Sequence, residues 1–175
     1  MFMGTLDEIE AGELEENKSR LRSLIPGYEY GRKEKRTETD RALRDKVVRE
    51  IDKAKSNLDE VSDMAYDDGR RDVVDGVGGV TDSLLRLEKK VESGPTSGLL
   101  NGAHTASEED LVRLVENDAK LVRDSEVLAE AADRLEEAVL EGRTEEIEKR
   151  LRELRKTADD IERAFEDRKD LLSGL

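Results

Sequence analysis

From Leu43 onward the apolar residues of this chain recur in steps of three and four. Leu43, Val47, Ile51, Ala54, Leu58, Val61 and Ala65 form one such series, which predicts a helix over 37–66 with a single apolar stripe. Asp67, Asp68 and Gly69 give a turn signal. Beyond it Val73, Val77, Val80, Leu84, Leu87 and Val91 predict a second helix over 70–93. A third helix, 107–141, carries the series Leu111, Leu114, Asp118, Leu121, Ser125, Leu128, Ala132, Leu135 and Val139, and Glu141-Gly142 stops it. The fourth, 144–172, has Ile147, Leu151, Leu154, Ala158, Ile161, Phe165, Arg168 and Leu172. Connections as short as 67–69 and 141–143 demand antiparallel neighbours. The predicted fold is all-α: an elongated, coiled-coil-like antiparallel four-helix bundle over 37–175, with an additional N-terminal helix.

That first helix belongs to a segment spanning 1–25 and opens on Thr5-Leu-Asp-Glu8, a capping-box pattern. Its apolar residues Leu6, Ile9, Leu14, Leu21 and Ile25 are too sparse for a seam. It must therefore pack on the main body, pack on a partner, or stay partly disordered. Pro26-Gly27 ends it, and a linker rich in tyrosine and basic residues follows over 26–36. Residues 94–106 lack any period and read as a loop, after which Ser107 and Asp110 form a second capping pattern. In Val73-Val-Asp-Gly-Val-Gly-Gly-Val80 no Gly-Lys-Ser/Thr follows, so this is not a phosphate loop. Gly76 and Gly79, three apart, are expected to admit a neighbouring backbone, with a hinge as the alternative.

Composition narrows the chemistry. Of 175 residues 43% are charged and 35% hydrophobic, so a thick α/β core is excluded. Cysteine is absent and His104 is the only histidine, which removes thiolate metal sites, cysteine nucleophiles and paired-histidine ligand sets. His104 falls in the loop and reads as a bystander. No catalytic, cofactor-binding or metal-ligating residues are assigned, and no enzyme activity is expected. A net charge of −14 argues against nucleic acid as a partner. No apolar run approaches the roughly 20 residues of a membrane span, and the start lacks a signal-peptide pattern, so a cytoplasmic location is expected. The 19 Asp, with 19 Arg against 12 Lys, fit a salt-tolerant archaeal source.

Charge is unevenly placed: residues 32–55 hold 10 bases and 6 acids, whereas every other stretch is acidic. Tyr28 and Tyr30 stand beside this basic run. Together with Arg32, Lys33, Lys35, Arg36, Arg41 and Arg44 they form a candidate interaction surface for an acidic partner, an anionic membrane or a nucleotide. The alternative is that the tyrosines staple the linker to the bundle end while the charges pair with Glu34, Glu38 and Asp40. Asp118, an ionisable residue on an apolar seam, must find a partner or shift its pKa. It is read as a buried register residue with Arg or Tyr as its partner.

The run Ile25-Pro-Gly-Tyr28-Glu-Tyr30-Gly-Arg-Lys-Glu-Lys-Arg36-Thr-Glu-Thr-Asp40-Arg-Ala-Leu43-Arg44 resembles the opening of a family of uncharacterised prokaryotic helical-bundle proteins, in which a Pro-Gly-Tyr element leads into a basic helix. The likeness extends to Ser97-Gly98 and to the stretch from Glu108 to Asp118, about two-thirds of the chain in all. Two departures stand out: Asp40-Arg-Ala-Leu43-Arg44 where the family has Asp-Lys-x-Leu-Arg, and the plain Ser97-Gly98-Leu99-Leu100 in place of an aromatic-rich glycine loop. The family has no established activity, so the resemblance implies a shared fold and supplies no catalytic residues. The function expected is that of a non-enzymatic interaction or scaffold protein, acting through self-association or on another protein. The alternative is a peripheral membrane adaptor using the N-terminal helix and the basic segment 32–49.

Overall fold

The computed structural model describes residues 6–94 and 107–173, and among these the chain is helical with no strand. Five helices pack against one another: α1 (Leu6–Leu24), α2 (Arg36–Asp67), α3 (Arg71–Ser93), α4 (Glu108–Leu140) and α5 (Thr144–Ser173), with a 3-10 turn at Lys33–Lys35. Every boundary between described residues lies within a residue or two of the expected one. Thr5, His104 and the Ser97–Leu100 stretch lie outside the described residues.

Local chemistry explains the ends. After α2, Arg70 N donates to Ala65 O at 2.8 Å and Gly69 N to Tyr66 O at 3.0 Å; after α4, Arg143 N reaches Ala138 O and Gly142 N reaches Val139 O, each at 3.0 Å. These are two copies of one Schellman turn, which requires a left-handed residue. Gly69 and Gly142 supply it at φ 70° and 66°. At the start of α4 Ser107 Oγ accepts from Asp110 N at 3.1 Å, filling one of the free amides of the helix, and donates to Asp110 Oδ2 at 2.6 Å.

Along α2 and α3 all thirteen apolar seam positions are buried. The α5 seam is buried throughout, Arg168 included, and on α4 only Leu111 is left half-buried. A second row on α4, Val115, Ala119, Val122 and Ala129, is buried too. That helix is covered on a wider arc than one seam, which alanine allows because it leaves room for a close neighbour. Gly76 lies against Leu151 of α5: a Cβ built there would stand 2.9 Å from Leu151 Cδ1. The approach is by a side chain rather than a backbone, and Gly79, facing open space, has no such role.

The described chain forms two compact units. They cut through the helices: one holds described residues 6–46, 107–122 and 164–173, the other Val47–Gly94 and Arg123–Arg163. The described N-terminal helix and the linker fall in one unit with the first turns of α2 and α4 and the last turns of α5. No described helix is long and apolar enough to cross a membrane.

Candidate functional site

In the first unit the seams turn polar. Extending the α2 series upstream of Leu43 by three and then four residues reaches Asp40 and Arg36, which are 1% and 5% exposed. On α4 the seam passes through Asp118 and on α5 through Arg168, both with no exposure. Arg168 Nη1 donates to Asp40 Oδ1 at 2.5 Å, Nε donates to Asp118 Oδ1 at 2.7 Å, and Nη2 donates to the Tyr30 hydroxyl. The remaining carboxylate oxygens are filled as well: Tyr28 OH donates to Asp118 Oδ2 at 2.8 Å, and Arg44 Nε to Asp40 Oδ2 at 2.9 Å. Two carboxylates face two guanidinium groups, so the cluster is neutral as a whole.

The segment 28–31 is strapped over this cluster by its backbone as well as its rings. Thr39 Oγ1 donates to Glu29 O at 3.0 Å and accepts from Glu29 N at 3.1 Å. Arg36 Nε donates to Tyr30 O at 3.0 Å, and Gly31 N to Glu29 Oε1 at 2.9 Å. The two tyrosine rings meet edge to face, centroids 5.5 Å apart at 81°, the arrangement that ring quadrupoles favour. Three residues of the strap, Tyr28, Glu29 and Tyr30, thus bond to α2, α4 and α5.

Burial sets the electrostatics. The Tyr28 and Tyr30 phenols are held well above the ordinary tyrosine value, first by desolvation; the charge of Asp118 adds to it at Tyr28, while Arg168 opposes it at Tyr30. Desolvation likewise lifts the Asp118 carboxyl, with Arg168 and Tyr28 pulling it back. Burial alone would disfavour the Arg168 cation, but Asp118, Tyr30 and Asp40 outweigh it and hold the guanidinium charged. Among the described residues no three His, Cys, Asp or Glu side chains converge as a metal site.

The candidate interaction surface is therefore divided. Tyr28, Tyr30 and Arg36 are buried and belong to the interior, because ring burial and the bonds above draw them inward. Arg32, Lys33, Lys35 and Arg41 are exposed, with Lys35 paired to Glu38 at 2.8 Å. Arg44 is half-buried on Asp40. The sequence offers Asp40 as a charge partner of the basic run and Arg168 as a charge on a seam, and it gives no signal for Thr39.

Outside the strap lies a pocket of about 220 Å³. Its wall is apolar, from Leu14 of α1 and Leu111, Val112 and Val115 of α4, and Lys18, Arg22, Glu29 and Glu108 supply its charged groups. An adjoining cleft shares Arg22 and Tyr28 and adds Arg32 and Lys35. No family model, curated protein or solved structure matches the chain.

Proposed function

We propose that this chain is a non-enzymatic helical scaffold that works by binding protein, either a second copy of itself or another chain. The observation that supports it is the closure of the Asp40–Asp118–Arg168 cluster: every carboxylate oxygen there is occupied from within and Arg168 has no exposure. The strongest concentration of perturbed ionisable groups thus holds a strap in place, and a reactant has no free donor or acceptor there to meet. What faces outward beside it is an apolar pocket with charged groups at its rim, the composition of a recognition surface.

The proposal includes the finer architecture, an antiparallel, coiled-coil-like arrangement of α2 to α5 with α1 added. It includes kinship with the prokaryotic helical family, a cytoplasmic site of action and a salt-tolerant source, for which a thermal midpoint rising with KCl is the check and a flat or falling one the refutation. The membrane alternative has less support, since Leu21 and Ile25 of the N-terminal segment are buried at 1% and 2% exposure. Sedimentation velocity at two protein concentrations, with recovery of co-purifying protein, tests the scaffold role. A species above 19.7 kDa or a stoichiometric partner is expected. A strict monomer that recovers nothing from extract refutes it.

A further inference from the structure

Tyr66 and Leu140 are the two most exposed of the large apolar side chains described, at 74% and 67%. Each closes a helix next to a glycine turn, and the two turns touch, Arg70 Nη2 donating to Thr144 Oγ1 at 3.4 Å. Acids follow both: Asp67 and Asp68 after Tyr66, Glu141 after Leu140. Residues 66–72 and 140–146 together hold six acids and three bases. A single exposed apolar residue needs no explanation. Two on one tip, set among acids, make an anchor with a charge.

The pocket beside the strap has the opposite character. At about 220 Å³ it falls below the roughly 300 to 1,000 Å³ of small-molecule sites, a size suited to one large side chain rather than a cofactor. Its wall is apolar, and together with the adjoining cleft it is lined by four bases, Lys18, Arg22, Arg32 and Lys35, against two acids, Glu29 and Glu108; among the described residues Arg22 and Arg32 are not ion-paired. An apolar anchor with an excess of acids and an apolar pocket with an excess of bases are complementary, and both occur on this one chain. We propose that the tip of one copy seats Tyr66 in the pocket of the next, with Asp67 and Asp68 against Arg22 and Arg32. This rests on the scaffold reading and names its partner. Because two different patches meet, the contact is heterologous: copies add head to tail, in open chains or closed rings.

Two variants test the contact. A tip variant, Tyr66→Ser with Leu140→Ser, and a pocket variant, Lys18→Glu with Arg22→Glu, change side chains outside the core. Light scattering after size-exclusion chromatography should show wild-type mass rising with concentration. Each variant alone should lose association by at least about tenfold. An equimolar mixture should form a species that stops at two chains, since the tip variant keeps a pocket and the pocket variant keeps a tip. Wild-type association that persists in either variant, or a mixture that stays monomeric, overturns this contact and leaves the scaffold reading standing. A wild type that is monomeric throughout overturns the contact and removes self-association from the scaffold reading as well.

Discussion

Replacing Arg168 by Leu is the sharpest perturbation the structure offers. The change removes three donors at once, to Asp40 Oδ1, Asp118 Oδ1 and the Tyr30 hydroxyl. Arg44 still serves Asp40 and Tyr28 still serves Asp118. Asp118, with no exposure, is nevertheless left as a buried carboxylate without a counter-charge. Breaking a buried pair from one side costs about 3 to 5 kcal/mol, against a total stability on the order of 5 to 15 kcal/mol. For a chain of 175 residues the melting midpoint should fall by roughly 10 °C. Urea denaturation followed by circular dichroism measures the loss directly. The deficit should also shrink at lower pH. In the variant the freed carboxylate has a folded pKa above its unfolded value of about 3.9, so protonation favours the folded chain as pH falls from 7 through that folded value. Adding Asp118→Leu should restore most of the stability, because the uncompensated charge is then gone. A loss below about 1 kcal/mol for Arg168→Leu, or a deficit that does not change with pH, would refute the reasoning.

Other outcomes follow from the same geometry. Tyr28 and Tyr30 have folded pKa values raised above the unfolded value; their contribution is whole below about pH 10 and is lost as pH rises through the folded values, at about 1.4 kcal/mol per pH unit for each phenol. Tyr28→Phe and Tyr30→Phe should each flatten that alkaline slope in urea titrations, and an unchanged slope contradicts their burial. Leu58→Asp or Leu154→Asp, at two fully buried seam positions, should cost about 4 kcal/mol or more, and a loss under about 1 kcal/mol rejects the seam. Gly79→Ala, with nothing within 4 Å, should gain about 0.5 to 1 kcal/mol of helix stability. Gly69→Ala, at φ 70°, should lose about 1 kcal/mol, so the two alanines must shift the thermal midpoint in opposite directions.

Periodicity made the helices and nearly every seam position legible, because a stripe buried along its length writes itself into the spacing of Leu, Val and Ile. Asp118 stood out for the same reason, as a charge where an apolar residue was due. Arg168 stood equally on a seam but among neighbours rich in Arg and Asp, so its burial did not separate it from the solvated charges. Asp40 and Arg36 continue the α2 series upstream, yet a count that starts at the first apolar residue passes over them. The second buried row of α4 alternates Val115 and Val122 with Ala119 and Ala129, and the alanines, whose burial leaves little trace in hydrophobic spacing, break the row into two isolated valines. The grip of Thr39 on Glu29 and of Arg36 on Tyr30 is a backbone interaction, and no residue pattern records it. That is why the tyrosines could be read either as a recognition surface or as a staple.

The central claim is that the cluster under the strap is structural and that the chain works through its surface. Its most direct test replaces the polar groups together: Tyr28→Phe, Tyr30→Phe, Asp118→Leu and Arg168→Met in one chain, leaving Asp40 with Arg44. Complete replacement of a buried charge pair by apolar groups is often neutral or stabilising, so this variant should fold. The measurement is light-scattering mass as a function of concentration, beside a urea titration that establishes folding. The account predicts wild-type association in a folded, helical variant. A variant that folds with wild-type stability but no longer associates would contradict it, and would make the buried cluster itself the working site.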